Sequence, residues 1–578
     1  MPSAALPLLD ADQARAGDDA AVAAGATWAG LMDRAAGHLA RGIVSAAGGR
    51  GVGLRVVLLV GKGNNGGDGW AAARRLRREH GAHCTVVAVD GVDTPVSDAA
   101  DVNRTAWRSA GGRTVVGTDH LDELLLSADV AVDCLLGTGS HGEPRGPAGV
   151  AVAALRRVHA RGVTVVACDI PSGVSADDGS AADAAVNADL TVTFGALKRG
   201  LLLHPGAAHA GRILLGSLGA TYDRYADETA RWSALTPTGA APAVLDAAAD
   251  KRARGVVLAL AGAAGTSGAA ALAATGALRT GAGLVTVATP EQVRSEVAAR
   301  VDAGVMVQGL PETPEGGLDA EAVHALPPLP SGAGAVVAGP GLGIGAGVQT
   351  VVGALRERAA RLVLDADAIN VHRDDPELLG EHVGELVLTP HERELARIGG
   401  GSDGATAFAQ RVNRVPELAA RWRATVVAKG PGTMVAAPDG RVWVTPIGGP
   451  ALGSGGTGDA LSGMIATAMA TDEDVPLAVA RAVWWHAAAG SRAGRDRAAR
   501  ATATDLLAAL PGVLGDLTGG TAGHPLAITG TGLAASRRAA SWGALPWDSW
   551  LDPWLDSWLA VARGGRDVSR GAAPEGGT

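Results

Sequence analysis

Aromatic side chains make up only 3% of this 578-residue chain, cysteines number three, long apolar runs are missing, and basic residues nowhere gather into a stripe. Each shortage excludes something. With so few aromatics the cores must be built from Val, Leu, Ile and Ala, the make-up of buried parallel strands covered by helices. No run of about 18 bulky apolar residues is present, and residues 1–19 place no basic region ahead of an apolar block, so neither a membrane span nor a secretory leader is expected. Cys84, Cys134 and Cys168 show neither CxxC nor Cys/His metal spacing, and their odd number suits a reducing compartment. They read as small core residues of a soluble, cytoplasmic protein. Scattered Lys and Arg under a net charge of −9 argue against nucleic acid as a partner.

What is there is apolar material in quantity, 47% of residues, in a chain longer than one core supports, so two globular domains plus extras are expected. Apolar runs alternate with helix-length segments twice. Strands are predicted at 55–60, 84–89, 130–135, 163–168 and 190–194, and again at 256–260, 284–288, 335–338, 362–364, 385–388 and 425–428. The fold class is therefore α/β, with an N-terminal Rossmann-like doubly wound domain over residues 1–220, a linker at 221–250 and a second α/β domain over 251–512. Residues 513–578 form a Gly/Ala-rich and Trp-rich tail in which Trp547, Trp550, Trp554 and Trp558 follow Trp542 at helical steps. Such a face suits docking or assembly, and a homo-oligomer is expected.

The chemistry sits in glycine turns. Gly455, Gly456, Thr457 and Gly458 lead into Asp459 just where an alanine-rich helix begins. Backbone N–H groups there converge on an anion, the helix N-terminus adds partial positive charge, and Asp459 is placed to take a proton from an attacking hydroxyl. The alternative is a tight loop whose Asp caps the helix. Far upstream, the strand at 55–60 runs into Gly61, Lys62, Gly63, Asn64, Asn65, Gly66, Gly67, Asp68 and Gly69. This loop is neither G-x-G-x-x-G nor a Walker sequence. Its two amides and carboxylate instead offer oxygens for a hard monovalent cation and donors for ribose or phosphate. Asp133 and Asp169 each end a strand and feed a Gly or Pro turn, and both are expected to converge on residues 64–68, or else to cap the helices that follow.

These residues resemble the YjeF-type NAD(P)H-hydrate epimerases, whose signature is G-x-G-N-N-G-G-D-G followed by D-x-L-x-G-T-G and D-I-P-S-G. Leu31 to Gly37 is similar to the family's early L-M-E-R-A-G helix, and Thr193 to Gly200 to its T-F-G-x-x-K-x-G. The resemblance covers roughly residues 20–220. It implies that Asn64, Asn65, Gly66, Gly67 and Asp68, with Gly137, Thr138, Gly139, Ser140, His141, Gly142 and Glu143, embrace the substrate. It also implies that Asn65, Asp133 and Ser172 hold K+, and that Asp169 serves the chemistry; the sequence leaves open whether Asp68 or Asp133 shares that work.

The second half resembles the ADP-dependent NAD(P)H-hydrate dehydratases of the ribokinase-like superfamily, through the Gly262, Gly281, Gly339, Asp365, Thr389, Lys429 and Gly455 motifs in order. It departs from them in carrying Thr266 and Ser267 where an aromatic is common. The resemblance implies that Ala269, Gly341, Gly343, Asp367, Asn370, His391 and Asp459 meet the hydrated nicotinamide nucleotide, His391 being alternatively a helix cap. Lys429, Gly430, Pro431, Gly432 and Thr433, with Gly455, Gly456, Thr457 and Gly458, would hold the adenine nucleotide, with Mg2+. Hydroxide is a poor leaving group; phosphorylating the C6 hydroxyl from ADP converts it into phosphate, which the ring nitrogen expels, giving NAD(P)H and AMP. Hydration yields both C6 epimers and a kinase-like pocket accepts one, so an epimerase beside it completes the repair. Two other readings are a ribokinase-like vitamin-precursor kinase, which needs no first domain, and a non-catalytic nucleotide-binding scaffold.

Overall fold

Continuous Val and Leu runs fold as strands because only the middle of a helix-flanked sheet covers both of their faces. The computed structural model describes residues 4–91, 97–243, 248–399, 405–496 and 500–518, and in it these runs build two sheets. The first has seven strands, all parallel, in the order Arg113–Val116, His83–Ala88, Arg55–Val60, Val130–Cys134, Thr164–Cys168, Leu190–Phe194 and Arg212–Gly216. Chain order reverses between Arg55–Val60 and Val130–Cys134, so the turns leaving these two strands diverge and open a crevice between them.

The second sheet has twelve strands. Its parallel part runs Met306–Leu310, Leu284–Pro290, Val256–Leu260, Gly334–Ala338, Arg361–Leu364, Glu385–Leu388 and Thr425–Ala428, with the order reversing between Val256–Leu260 and Gly334–Ala338. Met434–Ala436 and Val442–Val444 follow antiparallel. The remaining three strands, Trp232–Leu235, Ala5–Leu9 and Leu197–Lys198, come from the first half of the chain. The fold class is α/β as expected, but the division at 220 is not a clean one. The stretch 221–250, expected as a linker, holds most of the helix Ala220–Thr229 and all of Trp232–Leu235, and one apolar core joins Leu8, Leu197 and Leu202 to Leu258 and Val426. Burying each such Leu or Val removes it from water for about 1.5–3 kcal/mol, which favours two halves fused over two joined by a tether.

Three helices position the first crevice. Helix α1 (Ala11–Ala23) starts at Asp10, whose side chain accepts from the Gln13 N–H while Gln13 Oε1 accepts from the Asp10 N–H. Helix α2 (Trp28–Ala46) is capped by Thr27. Helix α3 (Asn64–His80) begins inside the stretch expected as a loop: residues 64–68 are its first turns, not a coil before it. The last helix among the described residues, Ala503–Leu517, runs past the expected limit of 512, and the tail tryptophans lie outside the described residues. Among the described residues no helix is long and apolar enough to cross a membrane. All three cysteines are free and buried.

Candidate active sites

The first crevice opens into a cavity of about 810 Å3. Its walls come from both sides of the sheet's switch point, with Asn64, Asn65 and Asp68 on α3 facing Gly137, Thr138, Gly139 and Ser140. Asp169 enters from the end of Thr164–Cys168 with φ 65°, a left-handed conformation that is uncommon for a side chain other than glycine. Three donors hold its Oδ1: Lys198 Nζ at 2.5 Å, Thr193 Oγ1 at 2.9 Å and the Phe194 N–H at 3.2 Å. The Lys198 side chain is 3% exposed and donates also to the Phe194 carbonyl. Asp169 is thereby a fixed carboxylate, its orientation set by a buried ammonium.

Two of the other carboxyls on the cavity wall, Asp68 and Asp18, are electrostatically coupled to Asp169. Burial pushes Asp68 well above the usual carboxylate range, with Asp169 and Asp18 adding to the effect and Lys198 opposing it. Asp18, on α1, is pushed up to about 6 by burial, against Lys198 and with Asp169 and Asp19. Asp133 takes no part here. It is fully buried, absent from the cavity wall, and accepts from Ser172 Oγ (2.7 Å), the Ser172 N–H (2.8 Å) and the Leu135 N–H. Of the two carboxylates left open as partners of Asp169, Asp68 is on the cavity wall and Asp133 is not. His141, Gly142 and Glu143 also depart from the expectation: all three are exposed and off the cavity wall, and Glu143 accepts from the Asp183 N–H. Gly66 and Gly67 are buried within α3 rather than on the wall.

The expected cation donors do lie together. Asn65 Nδ2 donates to the Leu136 carbonyl at 2.8 Å, Ser172 Oγ accepts from the Leu136 N–H at 3.0 Å, and Asn65 Oδ1 is buried with no hydrogen-bond partner. Burial raises the Asp133 pKa, and none of the ion pairs among the described residues includes it. A buried orphan oxygen beside a buried carboxylate without a counter-charge is a donor set that fits a monovalent cation.

The second site lies at the other switch point. Gly456 is left-handed (φ 87°) and caps the helix Thr457–Thr471, which carries Asp459 in its first turn. Lys429 Nζ donates to Asp365 Oδ1 at 2.7 Å, and a Cβ on Gly458 would lie 3.3 Å from that ammonium, so the glycine turn and the Lys429 loop meet. Burial works against the Lys429 charge, but Asp365, Glu394 and Asp459 raise its pKa above the ordinary value. Asp459 is pushed up to about 6 by burial, with Asp365 and Asp367 raising it and Lys429 lowering it. Asp365 stood in a motif without an assigned role; its 1% exposed side chain is what holds Lys429.

Other expected residues sort by their partners. Ala269 and Gly341 are adjacent: a Cβ on Gly341 would lie 3.0 Å from that of Ala269. Asp367 accepts from the Gly343 N–H at 2.8 Å, and Asn370 from Arg397 at 2.9 Å. His391 takes the capping role left open for it, its Nδ1 accepting from the Arg393 and Glu394 N–H groups, and burial lowers its pKa, helped by Lys429. Thr457 and Thr433 spend their hydroxyls inside their own turns. Gly430, with φ 146°, opens the turn and Pro431 sits at its apex, while Gly432 abuts the backbone of Leu202 and Leu203 from the first half.

Comparison with known proteins matches both halves of the chain. The family described as NAD(P)H-hydrate dehydratase matches residues 257–512, and that described as YjeF-related protein N-terminus matches residues 29–200. The bifunctional NAD(P)H-hydrate repair enzyme Nnr of Moorella thermoacetica is 36% identical over 473 residues, 80% of this chain and 88% of that protein. The enzyme of the same name from Gloeobacter violaceus is 36% identical over 503 residues, 84% of this chain and 93% of that one. Among solved structures, the ADP/ATP-dependent NAD(P)H-hydrate dehydratase of Bacillus subtilis, co-crystallised with ATP and Mg2+, is 30% identical and aligns with a TM-score of 0.41 over 49% of this chain and 97% of that one.

Proposed function

This chain belongs to the family of bifunctional NAD(P)H-hydrate repair enzymes, and from that premise we propose that it interconverts the two C6 epimers of NAD(P)H hydrate and dehydrates the S form to NAD(P)H with ADP. The observation that carries the reading is the pairing, in one chain, of a cavity around a Lys198-held Asp169 with a helix N-terminus where Asp459 faces the Lys429–Asp365 pair.

In the dehydratase site Asp459 takes the proton of the C6 hydroxyl as that oxygen attacks the terminal phosphorus of the nucleotide. The N–H groups of the 455–458 turn and the Lys429 ammonium stabilise the charge gathering on the transferred group. Asp365 keeps Lys429 aimed. Loss of phosphate, driven by the ring nitrogen, returns the reduced ring, leaving AMP and phosphate. Mg2+ would come with the nucleotide phosphates and neutralise part of their charge. In the first site Asn65, Asp133 and Ser172 would hold K+, which would supply fixed positive charge next to the cavity.

Purified protein given a mixture of NADPH hydrate epimers and ADP should restore the reduced-nicotinamide absorbance to the full amount of hydrate added. Recovery that halts at the S fraction would refute the first activity, and no recovery the second. The cation assignment has its own readout. Thermal unfolding in potassium chloride should show the protein more stable than in a tetramethylammonium salt, by about 1–3 kcal/mol near saturation, and Asp133→Asn should remove the difference. Equal unfolding temperatures in the two salts would count against K+ at Asn65.

A further inference from the structure

Helix α1 lies wholly outside the segment that matches the epimerase family, which begins at residue 29, yet the fold ties it to the reacting groups. Strand Ala5–Leu9 pairs with Leu197–Lys198, placing Leu9 opposite Lys198. Asp10 pairs with Arg199 at 3.0 Å, Gln13 Oε1 accepts from Arg199, and the Ala11 N–H donates to Asp177 at 2.7 Å. One turn on, Tyr222 donates to the Ala14 carbonyl, and its ring packs on Gly17 so closely that a Cβ there would sit 2.8 Å from it. The helix is pinned at Asp10, Gln13, Ala14 and Gly17, and the next residue is Asp18, on the cavity wall with Asp68, Asp169 and Lys198.

Exchange of epimers sets the geometric demand. The hydroxyl must leave C6 from one face and return to the other, so a proton has to be given on one side and taken on the other. Asp169, with Oδ1 held by three donors, serves one side only. Resting on the epimerase reading above, we propose that Asp18 is the second proton-transfer group of this reaction, acting on the face of C6 opposite Asp169. In one direction the C6–O bond breaks with its electron pair on oxygen, which takes the proton of the Asp18 carboxyl and leaves as water, while the ring nitrogen's lone pair forms the C=N bond. Water then adds from the other face, forming the new C6–O bond, and its proton passes to Asp169. Asp18 and Asp169 both line the open cavity, where exchange with bulk water returns a proton to Asp18 and removes the one from Asp169, so the cycle closes in either direction and no further reactant is needed.

The groups facing Asp18 are Lys198, Asp169, Asp19, Asp68 and Tyr222, with Arg15 one turn back on the same helix. Burial raises the Asp18 carboxyl to about 6, a value from which it both donates and accepts near neutrality.

The test uses the full chain and follows epimer exchange chromatographically, with S-epimer dehydration measured beside it. Asp18→Asn should slow exchange by about 100-fold or more through kcat with little change in KM, and should remove the limb of the pH profile near 6, while dehydration stays as it was and the unfolding temperature does not fall. Asp18→Glu should restore part of the rate. Exchange within about threefold of the parent rate, or loss of rate with an unchanged pH profile and no rescue by Glu, would overturn the proposal. So would Asp68→Asn removing the pH limb while Asp18→Asn leaves it. If the parent protein itself fails to exchange epimers, the fault lies in the epimerase reading and not in Asp18.

Discussion

Asp459→Asn is expected to lower ADP-dependent dehydration by about 10²–10⁴-fold while the epimers continue to exchange. The amide keeps the volume and the contacts of the carboxyl but cannot take the hydroxyl proton. The parent protein's dehydration rate should itself rise with pH through about 6, where Asp459 loses its proton, and level off above it. Stability should move the other way. The folded-state pKa lies above the ordinary 3.8, so the folded protein binds this proton more tightly than the unfolded chain does, and the parent loses stability as pH rises from near 4 through 6. The Asn variant carries no such charge. It should unfold at a higher temperature than the parent at about pH 8 and at a similar one near pH 4, a trade of stability for activity of the kind active sites show. Retained NADPH regeneration in this variant would refute the role of Asp459, and equal unfolding temperatures at about pH 8 would refute the burial of its charge.

Asp169→Ala is expected to abolish epimer exchange and to destabilise the protein by about 3–5 kcal/mol, because it strands the buried Lys198 ammonium without its carboxylate. The two effects are separable. Asp169→Ala combined with Lys198→Met removes both charges, and replacing a buried ion pair by apolar groups of similar volume is often neutral. The double variant should regain most of the lost unfolding temperature and dehydrate the S epimer normally, yet still fail to exchange epimers. A double variant that recovers exchange would show that Asp169 acts only by holding the fold. Thermal unfolding and chromatographic resolution of the epimers read the two effects independently.

Much of the architecture was legible in the chain. The strands Arg55–Val60, Leu190–Phe194, Val256–Leu260, Glu385–Leu388 and Thr425–Ala428 stand where the apolar runs predicted them, because such runs, ended by Gly, Asp or Pro, have no other stable place than a covered sheet. Asp169 on the cavity wall and Asp459 beside Lys429 were found from their positions at a strand end and after a glycine turn. Lys198 and Asp365 were visible as motif letters, but an ion pair between residues far apart in the chain cannot be read from either partner alone. Asp18 was missed altogether. Asp10 and Gln13 form a capping box that announces α1, yet the Gly-Asp-Asp that follows reads as a solvated helix face. The strands Ala5–Leu9, Trp232–Leu235 and Leu197–Lys198 were missed because such short strands owe their pairing to distant partners, not to their own composition.

The amino-acid sequence by itself determined the two chemistries: an amide- and glycine-rich turn ahead of strand-end aspartates, and a second glycine turn running into an acid, since backbone conformation at glycine and the choice of donor or acceptor are properties of the residues themselves. Only the tertiary structure decided which of those acids share a cavity. Asp133 is sealed against Ser172 while Asp18 lines the same cavity as Asp169. Desolvation and charge pairing depend on what covers a group, and the cover comes from elements that only folding brings near.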